Sequence, residues 1–169
     1  FSKKWPLLQD MDGVLTIRGR NIDILSNKGN LQGNKIAYLS AQIKGLGRAE
    51  SDNLTLDAKL ALTGDSLAKL IATTPLKEDL AGVNKKAHFT GPIDLDLSLL
   101  VPISDQSKNE IAVKGKLFFR ENNLEIIDTP LKFNHLGGEL DFTEHTVQSN
   151  NLLAEFNTRP AVLTVNYKS

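Results

Sequence analysis

The chain lacks several residue types that particular chemistries require. None of its 169 residues is cysteine, which excludes disulfide bonds, thiolate metal ligands and cysteine nucleophiles. Its 20 basic and 20 acidic side chains give a formal net charge of zero, whereas a nucleic-acid-binding protein usually carries a basic excess. We therefore expect no nucleic-acid partner. Aromatic residues make up only 6% of the chain, so its apolar material is mostly aliphatic.

Long hydrophobic runs are also missing. No apolar stretch approaches the roughly 20 residues of a bilayer-spanning helix, and residues 1–6 do not resemble a signal peptide. The chain does not begin with Met and stops soon after a strand-like segment, Val162–Tyr167. We therefore expect it to be a segment of a longer protein.

Two stretches alternate apolar and polar residues without interruption. They are Leu54–Leu62 and Ile93–Leu99. Successive side chains of a strand point to opposite faces, so each run predicts a strand with one apolar and one polar face. Turn signals recur every 8–12 residues along most of the chain, which is typical of an antiparallel meander. The sequence predicts a mostly β protein of about a dozen strands, including a hairpin turn at residues 121–123.

The spacing of apolar residues changes once from the two-residue period of a strand to that of a helix, over residues 65–74. Asp65 and Ser66 are candidate N-cap residues, Leu67, Leu70 and Ile71 share one helical face, and Pro75 would end the helix.

A weak internal repeat relates residues 13–43 to residues 138–167. Such a repeat predicts stacking along one axis, in a single segment of a repetitive rod.

One short helix cannot cover the apolar side of the predicted sheet. Ten helical residues are about 15 Å long and 10 Å wide, while ten strands spaced by about 4.8 Å span nearly 50 Å. The rest of this face must close as a sandwich or barrel, or remain open as a groove for an apolar ligand. Patterning alone does not separate the two, although the repeat and the smooth aliphatic side chains favour the groove. Its candidate lining residues are Leu54, Leu56, Leu60, Leu62, Ile93, Leu95, Leu97, Leu99, Ile111, Val113 and Leu117.

No catalytic or metal-binding motif is present. The Gly115-Lys116 pair lacks the first glycine of a phosphate-binding loop, and His88, His135 and His145 lack metal-ligand spacing. We therefore expect neither a cofactor nor a metal site, and no enzymatic activity.

Asp94 and Asp96 are the one candidate carboxylate pair. On a strand they would lie about 7 Å apart on one side, a separation that some glycosidases use. They occupy the polar phase of their strand, as Asp57 and Lys59 do in theirs. A solvated outer face is the favoured interpretation, and an enzyme or carbohydrate-binding module is the alternative.

Several stretches carry a family resemblance that covers almost the whole chain. Residues Trp5–Leu15 read WPLLQDMDGVL, and comparable patterns of strand, glycine and aliphatic residues run through Leu60–Leu76, Gly91–Pro102, Gly115–Leu117 and Leu131–Phe142. In order and spacing these resemble the AsmA-like envelope proteins of Gram-negative bacteria, of the YhdP type.

The resemblance implies a fold and a function. Members of this family are anchored in the inner membrane and cross the periplasm as a β-rich rod with a continuous hydrophobic groove. For this chain, the resemblance implies an extended, twisted antiparallel sheet curved into an open U-shaped groove. That groove would carry phospholipids towards the outer membrane. The expected partners are phospholipid acyl chains, neighbouring segments of the same chain, and the membranes at the two ends of the full-length protein. A closed β-sandwich that serves as a scaffold or interaction module of the cell envelope, without a ligand, is the alternative.

Overall fold

Ten strands and one helix have their full bounds within the part of the chain that the structure describes. In this computed structural model, that part is residues 7–47, 52–74, 77, 85–103 and 110–168. The elements are β1 (Leu8–Arg18), β2 (Asn21–Leu31), β3 (Asn34–Ile43), β4 (Asn53–Thr63), α1 (Gly64–Ala72), β5 (Ala87–Thr90), β6 (Pro92–Pro102), β7 (Ala112–Ile126), β8 (Lys132–Thr143), β9 (Thr146–Phe156) and β10 (Arg159–Lys168).

All ten strands belong to one antiparallel sheet. Its order is β1-β2-β3-β4-β6-β7-β8-β9-β10, and β5 pairs with the second half of β7. Within the described residues, β1 and β10 are the two edges and do not pair with each other. The sheet is therefore open, which confirms the mostly β fold with one short helix and an unclosed sheet.

One side of the sheet is apolar across strand after strand. Leu60 of β4 lies opposite Leu95 of β6, and the row continues through Leu117 of β7 and Leu140 of β8. Directly paired residues of an antiparallel sheet point to the same side, and each of these four side chains is at most 6% exposed. Burying one such leucine contributes about 1.5–3 kcal/mol. We call this side the inner face and the opposite side the outer face.

The hairpin turn predicted at residues 121–123 is wrong, because β7 runs through it as a single 15-residue strand. The register between β7 and β8 shifts between Phe119 and Asn122, and Glu121 has a positive φ of 58°. This is a β-bulge, which adds a residue without ending the strand. Similar irregularities lie along β1, β8 and β9. Because a bulge continues a strand that a local pattern would divide, the described residues form ten strands rather than about a dozen.

A buried asparagine holds the bulge in β7. Asn122 has 0% exposure, and its amide nitrogen donates to the carbonyl oxygens of Thr90 at 3.0 Å and Pro92 at 2.9 Å. Its side-chain oxygen accepts from the backbone N–H of Arg120 at 2.7 Å. One side chain thus ties the bulge to the break between β5 and β6 at Gly91.

Two buried serines hold other register shifts in the same way. The hydroxyl of Ser26, which is 1% exposed, lies 2.6 Å from the carbonyl oxygen of Asp12 and 2.7 Å from that of Lys28. The Ser149 hydroxyl donates to the carbonyl oxygen of Glu139 at 2.6 Å. Bulges bend a strand and increase its twist. The sheet is therefore curved, and we call its apolar inner face, which crosses the strands from β1 to β10, the trough.

The helix begins and ends earlier than predicted. Thr63 is its N-cap, and the Thr63 hydroxyl accepts from the backbone N–H of Ser66 at 3.2 Å. Asp65 lies in the first turn, where its negative charge interacts favourably with the positive end of the helix dipole. Leu67 and Leu70 are buried, so the predicted apolar face packs on the sheet.

Replacing Asn122 with Ala should lower the free energy of unfolding by about 2–4 kcal/mol, because each buried partner left unsatisfied costs about 1–3 kcal/mol. Asn123→Ala is the matched control, since Asn123 is exposed and makes one long contact to the Thr90 hydroxyl. We expect that control to change stability by less than about 0.5 kcal/mol. Urea denaturation measures both, and equal losses would contradict the role given to Asn122.

Candidate functional site

The inner face is covered in the middle of the sheet and uncovered towards β1. Leu15 of β1 pairs with Ile24 of β2, and Ile17 pairs with Ile22. Ile24 in turn pairs with Ala41 of β3, so these side chains share the inner face. Leu15 is 59% exposed, Ile17 64% and Ile24 37%. An aliphatic surface thus continues from the buried centre to an edge where it contacts solvent.

The opposite edge continues the same surface. Leu163, Val165 and Tyr167 of β10 are half-buried and pack against the core. Val165 pairs with Ser149 and Tyr167 pairs with Val147, both of which lie on the inner face of β9. The apolar trough therefore extends across the whole described sheet.

Ten of the eleven predicted lining residues lie on the inner face. Those at most 6% exposed are Leu60, Leu62, Ile93, Leu95, Leu99, Val113 and Leu117, and those partly buried are Leu54, Leu56 and Leu97. Ile111 precedes β7, which begins at Ala112, and is 38% exposed. The structure brings the ten together on three neighbouring strands, and their lining role stays a prediction.

Sequence reasoning missed the exposed aliphatic residues of β1 and β2. Leu15, Ile17 and Ile24 alternate with Val14 and Leu25, which pair on the outer face and are 66% and 48% exposed. Apolar residues on both faces remove the alternation that marks one face as the interior. Cross-strand pairing was the signal needed, and one sequence does not contain it.

The outer face of β4, β6, β7 and β8 is charged and solvated. Asp96 pairs with Lys59 and Asp94 pairs with Arg120, each at 3.0 Å, and the two aspartate side chains are 41% and 49% exposed. Each carboxylate of the candidate pair thus has a cationic neighbour on an adjacent strand. This arrangement matches the solvated outer face that the polar phase of β6 predicts.

Further ion pairs on the exposed side chains join β7 to β8. Lys116 lies 2.6 Å from Glu139 and 3.7 Å from Asp141, and the hydrogen bond to Glu139 raises the pKa of Lys116. The hydrogen bond from Lys132, at 2.6 Å, lowers the pKa of Glu125. Opposite charges on facing positions favour this register over a shifted one.

The described residues contain no group of three or more His, Asp or Glu side chains close enough to hold a metal ion. None of the helices in the described ranges is both long and apolar enough to span a membrane.

An open, curved antiparallel sheet with a largely apolar inner face, and with charges on the outer face of its central strands, defines a groove-type β protein. The chain belongs to the YhdP family, since all of it, residues 1–169, matches the family described as YhdP protein. It is 26% identical over 162 residues to the intermembrane phospholipid transporter YhdP of Escherichia coli strain K12. The alignment covers 95% of this chain but 12% of that relative. No solved structure matches the chain.

His135 should titrate above its ordinary pKa of 6.5, because its Nδ1 lies 2.5 Å from a carboxylate oxygen of Glu121, and that hydrogen bond favours the protonated ring. Because folding raises the pKa of His135, the ion pair with Glu121 stabilises the folded state. That stabilisation is fully present below pH 6.5 and is lost as the pH rises through the folded-state pKa. NMR titration of the ring measures the value. Glu121→Gln should return it towards 6.5, and an unchanged value in that variant would contradict the assignment.

Proposed function

We propose that this chain is a section of a hydrophobic conduit that carries phospholipids between the inner and outer membranes of a Gram-negative envelope. The single observation that carries the proposal is the inner face, which is largely apolar from β1 to β10 and is uncovered near β1, where Ile17 is 64% exposed. The name of the E. coli relative supports phospholipid as the ligand.

Acyl chains would lie along the trough of the inner face. Burial contributes about 0.8 kcal/mol for each methylene group, so many weak contacts hold a lipid without a specific pocket. The candidate lining residues of β4, β6 and β7 are all Leu, Ile or Val, and similar side chains give similar energies along the path. Such a surface favours sliding over trapping.

The phospholipid headgroup would stay at the open side of the trough, in water. A charged phosphate is costly to remove from water unless it is paired. The inner face offers it few polar partners, because the buried Ser26, Asn122 and Ser149 already bond to the backbone. The proposal therefore assigns binding to the tails and leaves the headgroup unselected.

The two sheet edges would pair with neighbouring segments of the same chain. An exposed edge strand presents unpaired N–H and C=O groups that accept a further strand, and β1 and β10 are the edges of the described sheet. Pairing there would continue the trough on both sides. In the proposed arrangement the segment lies in the periplasm, within a protein anchored in the inner membrane, and the membranes lie at the ends of the full-length protein.

A ligand-free scaffold is the less supported function. It was predicted as a closed β-sandwich, whereas the described strands form one open sheet.

Ile17→Asp should reduce phospholipid delivery to the outer membrane several-fold, because a carboxylate in the trough forces an acyl chain to pass an unpaired charge. Val14→Asp is the matched control. Val14 lies on the same strand with nearly equal exposure, 66% against 64%, and faces outwards. The measurement is transfer of labelled phospholipid to the outer membrane in cells that depend on the full-length protein. Equal transfer by the two variants, at equal protein levels, would rule out the inner face as the path.

A further inference from the structure

We propose that the cavity between α1 and the inner face is a binding subsite for a single acyl chain. This inference rests on the proposed function and adds a position to it. One tail of a phospholipid passes beneath the helix, while the rest of the molecule lies over the uncovered part of the trough.

The roof of the subsite is the apolar side of α1. Leu67, Leu70 and Ile71 line the cavity together with Ala68. The helix is held close to the sheet at its start, because a Cβ at Gly64 would overlap the carbonyl group of Phe89 in β5. Only glycine allows this approach of helix and strand, so the height of the roof is set by backbone contact.

The floor of the subsite spans four strands. Leu95 and Leu97 come from β6, Leu117 from β7, and Phe142 from β8. The Phe142 ring lies over Gly115, where a Cβ would overlap the ring. Leu140 of β8 and Val147 of β9 complete the floor.

The chemistry of the lining selects an apolar occupant. The cavity measures about 100 Å³, and His88 is the one polar side chain among its described lining residues. A buried water needs two to four polar partners, whereas a dry apolar cavity of about 150 Å³ binds a molecule the size of benzene. A space of this size holds a few methylene groups of one chain and does not hold two chains side by side.

The subsite is continuous with the trough. Leu97 is a lining residue of the cavity and is only partly buried, and Ala68, Ile71 and His88 are also only half-buried. An acyl chain can therefore enter from this side, where His88 is the one polar side chain among the described lining residues.

The test uses the full-length protein and a defined lipid. Vesicles of phosphatidylethanolamine and phosphatidylglycerol include a phosphatidylethanolamine with a diazirine near the end of one acyl chain. After photolysis, mass spectrometry locates the labelled residues. We expect labelling on Ala68, Leu97 or Leu140 as well as around Ile17. Labelling around Ile17 without any beneath α1 overturns the subsite and leaves the conduit intact, and no labelling at either place overturns both.

A cavity-filling variant tests the site independently. Ala68→Phe places a phenyl ring in the cavity, so labelling of Leu97 and Leu140 should fall by about tenfold or more, because a filled space has no room for a chain. Ala72→Phe is the matched control, since Ala72 lies on the same helix and is exposed. Equal labelling in the two variants overturns the proposal. Ala68→Leu, a smaller change, replaces Ala68→Phe if the latter does not fold.

Discussion

The curvature of the sheet depends on buried polar side chains at its register shifts. Ser26, Asn122 and Ser149 lie at such shifts, and each is hydrogen-bonded to backbone groups of a neighbouring segment. A polar group buried without partners would cost more than it contributes, so these residues are compatible with the core only while the bulges are formed. The strands bend at these shifts, and α1 covers part of the apolar face at the centre of the sheet.

The strands that could be predicted from sequence are those with an uninterrupted alternation of apolar and polar residues. Leu54–Leu62 and Ile93–Leu99 keep one phase from end to end, and they form β4 and β6 with the expected faces. In β7 the inner face moves from Leu117 and Phe119 to Asn122 and Leu124, because the bulge adds a residue. A local pattern cannot distinguish that change of phase from a turn between two strands. The bulge is specified by hydrogen bonds from Asn122 to residues some 30 positions away.

The candidate site was also predictable only where a strand alternates without interruption, because local patterns do not contain the contacts between strands. The lining residues of β4 and β6 follow from the alternation within each strand. Ile17 and Ile24 can be assigned to the inner face only from cross-strand pairing, which links β1 to β2 and β2 to β3. The position of α1 was also beyond a local pattern. Its apolar side was visible in Leu67 and Leu70, but its close contact with the sheet depends on the Gly64 and Phe89 backbones meeting.

The bulges and the apolar face place different demands on sequence change. A bulge needs particular partners, as Asn122 needs the carbonyl oxygens of Thr90 and Pro92. A trough that holds its ligand by nonspecific aliphatic contact requires only a class of side chain of suitable volume. Leu, Ile and Val can therefore exchange along it over evolutionary time while the fold persists. Sequence identity between relatives would then understate how similar their inner surfaces remain.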